Sequence, residues 1–348
     1  MTQSENLAFL DLTLECAVCG HATAGLFKKS KTTREVPTNS ENESILKLLG
    51  YRDIFIQPRL CPECFHGAIF PKFDTAVLYG DRGVEARLQA AARYQISGAA
   101  IDGRLSYNYS FLKLSRELGR LKSICQFIAS SLPASVGSEG GIRLLDWGGG
   151  DGYISSILSK GLSAVTGRPV ESYIYDYTEW GDLKSKKVGL RDLNRLARFD
   201  VVILSHVLEH THDPVKTLKM AVSFLVKGGI VFCEVPDARF NTVRALAGFM
   251  GRLEYHVCWF SRNSLRQCLE KAGVSNISMG CHYVTSYRGE GMSSLVGVGV
   301  MGVGTAGNEV GVTTRIQRVL EELISFLALI PGKIALKLSN LPRKSYNK

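Results

Sequence analysis

The feature that most constrains this chain is the run Leu144-Leu145-Asp146-Trp147-Gly148-Gly149-Gly150-Asp151-Gly152. It follows Ile142–Asp146, which reads as a strand, and opens Tyr153–Lys160, which reads as a helix. Glycines in such a turn let the backbone bend tightly and approach a ligand where a Cβ would collide. The pattern of strand, turn and helix then repeats. Glu171–Asp176, Phe199–Ser205 (FDVVILS) and Gly229–Val235 (GIVFCEV) read as further strands. Helices are expected from Pro214 to about Leu225 and from Ser261 to Ala272, where Gly273 ends the run. Two more strands near Val274–Tyr283 and Ser293–Val303 complete the set. This alternation predicts an α/β fold with a doubly wound, mostly parallel seven-stranded sheet.

The glycine spacing separates two kinds of cofactor. A dinucleotide site uses G-x-G-x-x-G to seat a pyrophosphate on the helix N-terminus. Gly148 and Gly150 fit that pattern, but Tyr153 stands where its third glycine belongs. The D-x-G-x-G-x-G arrangement instead resembles motif I of class I methyltransferases, over a stretch from Ile142 to Val303. That resemblance implies a Rossmann-like sheet with S-adenosylmethionine as cofactor. It places Asp146, Gly148, Gly149, Gly150 and Gly152 around the methionine part of that cofactor. Asp176 ends the next strand (SYIYDY), where a carboxylate can accept from both ribose hydroxyls. Asp192, in GLRDLNRL, resembles the family's adenine-end acid, and Ser205 and His206 stand at the cofactor edge of the fourth strand. FDVVILSHVLEHTHDP followed by GGIVFCEVPD is similar to the family's fourth and fifth strands, with Asp213-Pro214 starting the helix between them. The bland alternative is a glycine-rich turn with two incidental acids.

The acceptor side is read from His206, Glu209, His210, Tyr255 and His256. Methyl transfer from a sulfonium is an in-line displacement, so the protein positions the acceptor and removes its proton. A histidine, with an ordinary pKa of about 6.5, suits that task. Each of these residues reads equally as cleft wall or helix cap. His206-Val207-Leu208-Glu209-His210 also matches H-x-x-E-H, a zinc-hydrolase pattern that needs one helix through all five residues. Here the run follows directly on a strand, which predicts a loop. The stretch Arg252–Ser261 resembles the substrate-side segment of small-molecule methyltransferases. Ser205-His206-Val207-Leu208 occupies the place of the Asn/Asp-Pro-Pro-aromatic motif used for amino groups of bases, which disfavours a nucleobase acceptor.

Cys16-x-x-Cys19 and Cys61-x-x-Cys64 offer four thiolates, the tetrahedral set for a structural Zn2+. Pro62 favours the tight turn, and His21 and His66 stand near enough to replace a cysteine. Four free thiols, or a redox pair, is the alternative. A four-cysteine module ahead of a class I domain resembles the sugar C-methyltransferases, which act on nucleotide-linked deoxysugars. It implies a small-molecule, anionic acceptor such as a sugar or polysaccharide precursor. Residues 305–348 are too few for that family's extra C-terminal domain. The net charge of +10 agrees with an anionic acceptor. Nucleic acid is the second reading, but the basic residues are scattered apart from Lys28–Arg34 and the C-terminal end. A cofactor-binding scaffold without turnover is the third.

The chain divides into a strand-poor zinc-binding module (1–71), a helical cap (72–135), the catalytic domain (136–304) and a helical tail (305–348). In the cap, Leu112, Leu114, Leu118, Leu121, Ile124 and Phe127 recur at near-helical spacing until Pro133. In the tail, residues 313–330 form an amphipathic stripe whose polar side carries both signs, suited to packing on the domain or at a homodimer interface rather than to a membrane. The N-terminus lacks a basic region followed by an apolar core, and no run reaches the length of a membrane span. With nine cysteines and no secretion signal, the expected location is cytoplasmic.

Overall fold

The structure is a computed structural model and describes residues 15–25, 57–70, 111–133, 136, 140–177, 186–196, 198–237, 256–285 and 291–302. The cap residues 72–110 and the whole tail, including the 313–330 helix and its dimer reading, lie outside the described residues.

The central sheet is built from β4 (Ile142–Trp147), β5 (Val170–Tyr175), β6 (Lys186–Lys187), β7 (Phe199–Ser205), β8 (Leu225–Pro236), β10 (Val274–Thr285) and β11 (Gly291–Met301). Its order is β10-β11-β8-β7-β4-β5-β6. The pairs β4–β5, β5–β6, β4–β7 and β7–β8 are parallel, while β11 runs antiparallel to both β8 and β10. The chain winds outward from β4 in both directions. The crevice beyond the C-terminal ends of β4 and β7 is therefore a topological switch point, the usual ligand position in open α/β sheets.

Alternation along each strand sends neighbouring side chains to opposite faces. Leu144, Val201, Ile203, Ile230 and Phe232 pack on one face with Leu121, Ile124 and Ile128 of α1 (Phe111–Ser131) and Leu158 and Leu162 of α2 (Tyr153–Thr166). Leu145, Trp147, Val202, Leu204 and Val231 pack on the other, with Leu218 of α4 (Pro214–Val222) and Leu265 and Leu269 of α5 (Arg262–Lys271). A short α3 (Leu190–Leu193) follows β6. Helix starts are capped as the sequence indicates. Asp213 accepts the Lys216 N–H with Pro214 at the first turn, and Ser261 forms a capping box with Ser264. The helix expected to reach Leu225 stops at Val222, because Leu225 is already paired with Phe199 as the first residue of β8.

The N-terminal region carries three short strands among its described residues. β1 (Ala24–Gly25), β2 (Gln57–Leu60) and β3 (Gly67–Phe70) form an antiparallel sheet completed by β9 (Cys258–Trp259), a strand from the far side of the sequence. Gly67 pairs with Trp259, and a Cβ at Gly67 would overlap the indole ring. Buried Cys16, Val18, Cys61, Cys64 and Ala68 belong to the same core as the second face of the main sheet. Accordingly Met1–Gly304 forms one compact unit and Thr305–Lys348 another. No helix among the described residues is long and apolar enough to cross a membrane.

Candidate functional site

The glycine loop occupies the switch point. Gly148, Gly150 and Gly152 all hold positive φ, at 76°, 58° and 79°, a region that side chains rarely enter. A Cβ on Gly148 would come within 2.7 Å of Val207 Cγ2, so the loop lies directly against the exit of β7. The Gly148 N–H donates to the Tyr175 carbonyl, and the Gly150 N–H to Asp176 Oδ2 at 2.9 Å. Asp176 thus stands at the end of β5 beside the loop, where the ribose reading requires a carboxylate. Asp151 accepts from the Tyr153 N–H and sets the start of α2.

Asp146 takes a different position from its glycines. Its carboxyl lies beneath the loop at 2% exposure, and a Cβ on Gly149 would meet its Oδ2 at 2.7 Å. Burial, reinforced by the charges of Asp176 and Asp151, outweighs the Ser155 hydrogen bond and Arg120, and raises its pKa to about 7. Asp192 sits on α3 with its carboxylate exposed, 3.8 Å from Arg195.

Behind the exit of β7 lies a buried network that the sequence reading missed. Arg120 Nε donates to Glu234 Oε1 at 2.9 Å, and Nη2 donates to Oε2 at 2.5 Å and to Ser205 Oγ at 3.0 Å. The Ser205 hydroxyl donates in turn to Glu234 Oε2 at 2.9 Å, so Ser205 is engaged here. A glutamate inside the otherwise apolar GIVFCEV strand was the available signal, since a buried charge needs a partner.

His206 follows at φ 57°, its N–H donating to the Glu234 carbonyl. That strained backbone and the 3₁₀ turn Leu208–His210 rule out one helix through residues 206–210, as the loop expectation held. The His206 ring lies with Nδ1 3.0 Å from Glu209 Oε1 and Nε2 3.6 Å from Glu234 Oε1. Burial alone would strip its proton, but the two carboxylates outweigh it and push the pKa up to about 10. For Glu209 the cost of burial is likewise overcome, chiefly by His206, and its pKa is lowered.

His210 and His256 complete the cluster from positions 46 residues apart in sequence. Their rings meet edge to face at 4.9 Å, and their Nε2 atoms lie 4.0 and 3.9 Å from Glu209 Oε1. The Val257 N–H donates to the Glu209 carbonyl, which brings His256 to this place. Burial first, then the His210 charge, hold the His256 pKa down at about 3. Tyr255 lies outside the described residues.

The four N-terminal cysteines converge as their spacing indicates. Cys16 Sγ is 3.5 Å from Cys64 Sγ, Cys19 Sγ is 3.3 Å from Cys61 Sγ, and all four sulfurs lie within 4.8 Å of one another. Bonds of about 2.3 Å to a tetrahedral zinc set sulfurs about 3.8 Å apart, so the quartet has the required size. The two knuckles are built alike. Cys16 N–H donates to the His21 carbonyl and Gly20 N–H to Cys16 O; Cys61 N–H donates to the His66 carbonyl and Phe65 N–H to Cys61 O. Gly20 and Phe65 occupy the same positive-φ position. The histidines thus close the turns through their carbonyls, and the His66 ring packs on Phe260.

Residues 116–279 match the family profile described as a methyltransferase domain. They form a methyltransferase domain. It opens within α1 and ends within β10, taking in the glycine loop, Asp176 and the histidine cluster, and leaving the cysteine knuckles outside. S-adenosylmethionine is the methyl donor of this methyltransferase domain, and the positive-φ cradle with its flanking carboxylate fits it. No curated protein matches the sequence. Among solved structures, the DszA carbon methyltransferase is 18% identical, over 63% of this chain and 66% of that one, with a TM-score of 0.41. The magnesium protoporphyrin IX methyltransferase of Synechocystis PCC 6803, solved with S-adenosylhomocysteine, is 15% identical over 62% and 100%, with a TM-score of 0.40. The CurJ carbon methyltransferase is 19% identical over 65% and 69%, with a TM-score of 0.38.

Proposed function

We propose that the methyltransferase domain acts on a small anionic acceptor of the nucleotide-linked sugar or polysaccharide-precursor class. The observation that carries this reading is the cluster His206, Glu209, His210 and His256, placed against the donor loop through Val207. S-adenosylmethionine would supply the methyl group and leave as S-adenosylhomocysteine; the cluster holds the acceptor in line with it, and the acceptor's proton passes to solvent on the open, imidazole side. His206 is occupied between Glu209 and Glu234 and positions Glu209. His210 and His256 are the imidazoles that face the acceptor. The chain's charge of +10 supports an anionic substrate.

The test is a panel of nucleotide-linked sugars, free sugars and RNA, with S-adenosylhomocysteine release as readout. Turnover is expected with a nucleotide-linked sugar; turnover on RNA alone, with affinity falling steeply in salt, would overturn the acceptor reading. The donor side is tested separately. Gly150→Val puts a branched side chain at a φ of 58° in the cradle, and S-adenosylmethionine affinity should fall at least ~100-fold, or about 2.7 kcal/mol. Wild-type affinity in calorimetry would count against the cradle.

We infer further that Cys16, Cys19, Cys61 and Cys64 hold one structural Zn2+. The quartet is complete, so no water or substrate position is left on the ion, and its role is to staple β1–β3 to the catalytic core. Cys61→Ser should reduce zinc from one per chain to a residual fraction. Melting should drop by roughly 5 °C, corresponding to about 2 kcal/mol in a unit of this size. Metal-free wild-type protein of full stability would refute the staple.

A further inference from the structure

We propose that Glu209, His210 and His256 form a second metal site, for a divalent transition-metal cation, on the acceptor side of the glycine loop. Each supplies one donor atom, and the three atoms lie within 4.8 Å of one another. Glu209 Oε1 stands 4.0 Å from His210 Nε2 and 3.9 Å from His256 Nε2. An ion with bonds of about 2.0–2.1 Å sets tetrahedral donor atoms about 3.4 Å apart. Closing the remaining half ångström takes a small turn of two imidazole rings.

Two further observations point to a cation. Glu209 is fully buried, yet its second oxygen, Oε2, has no hydrogen-bond partner among the described residues. Leaving a buried carboxylate oxygen unmatched is costly, and a cation beside the group would offset that cost. The histidine side chains, by contrast, are 24% and 18% exposed, so the cluster is walled on the carboxylate side and open on the imidazole side. Three protein donors with an open position is the arrangement of a cation that binds an exogenous oxygen. Two imidazoles and one carboxylate suit zinc, manganese, iron or cobalt, whereas magnesium and calcium favour all-oxygen sets.

The surroundings of the trio also fit. His206 Nδ1 lies 3.0 Å from Glu209 Oε1 and can orient the ligating carboxylate, as outer partners of metal ligands do. The Val257 N–H to Glu209 carbonyl bond ties the segment carrying His256 to the backbone of the glutamate it faces. The site itself stands on this geometry. Its role, to hold an oxygen of the acceptor beside the donor methyl, rests on the reading of this cluster as the acceptor wall.

The experiment is a cobalt titration of full-length protein brought to one zinc per chain, so that the ion fills the cysteine quartet and the trio is open. One added Co2+ per chain is expected, with weak visible ligand-field bands and without the intense thiolate charge-transfer absorption of a cysteine site. His256→Ala and, independently, Glu209→Gln should each abolish the added cobalt while zinc content stays at one per chain. S-adenosylmethionine binding by His256→Ala confirms that the variant is folded. Failure of zinc-loaded wild type to take up cobalt, or uptake by His256→Ala equal to wild type, would overturn the proposal. Stoichiometry is read without any acceptor, so its failure is distinct from failure of the acceptor panel.

Discussion

Arg120→Met is expected to destabilise the protein by about 3–5 kcal/mol, the cost of removing one partner from a buried ion pair. Methionine preserves much of the side-chain stem, so the loss isolates the charge. Arg120 and Glu234 side chains are 3% and 0% exposed, and Glu234 receives two of its hydrogen bonds from the guanidinium. Without it, the carboxylate keeps the Ser205 hydroxyl and the nearby His206 ring, in a place water does not reach. Glu234→Gln added to Arg120→Met should restore a large part of the loss, because the stranded charge is then gone. Urea denaturation of the four proteins measures this. A loss under about 1 kcal/mol would mean that the pair behaves like an exposed one. A double variant no better than the single would place the cost in packing instead. The pair also links α1 to the backbone that carries His206, so Arg120→Met should disturb the His206 turn as well as the fold.

What the sequence made legible follows from how local each signal is. The strand–glycine–helix turn at 142–160, the apolar run at 199–205 and both cysteine knuckles are encoded within a few residues, and each lies where its spacing indicates. Asp176 was legible because a carboxylate ending the strand after a glycine loop has one obvious neighbour. Contacts between distant segments were not. Nothing in RLEYHVCWFS reveals that Cys258–Trp259 completes the cysteine module's sheet, because a two-residue strand has no periodicity. The described strands of the N-terminal module are likewise too short, at two to four residues, to carry a periodicity. The H-x-x-E-H pattern was correctly placed in a loop. The loop nevertheless gathers a different trio, because the left-handed His206 turns the chain and His256 arrives from another segment. Asp146 shows the limit of motif reading. The motif identifies the residue, but only the packing shows that its carboxyl lies under the loop.

That buried carboxyl has the second large consequence. Asp146 holds its proton to about pH 7 in the folded protein, against an ordinary value of 3.8. Between those values the folded chain carries a proton that the unfolded chain has released. Stability should therefore fall by about 1.4 kcal/mol for each pH unit of rise through this window, and the loss levels off above pH 7, where both states are ionised. The full span is on the order of 4 kcal/mol. Asp146→Asn keeps the shape of the neutral form and removes the titration. It should match wild type near pH 4, exceed it progressively to about pH 7 and hold that margin to pH 8, as read from urea midpoints across that range. A difference between wild type and variant that is flat from pH 5 to 8 would show that the carboxyl is solvated or paired. Asp146 Oδ2 has no hydrogen-bond partner among the described residues, so the Ser155 hydrogen bond and the Arg120 charge are left to favour its ionised form against burial. If Asp146→Asn is the more stable protein at pH 8 but binds S-adenosylmethionine more weakly, the carboxylate serves the donor loop at the expense of the fold.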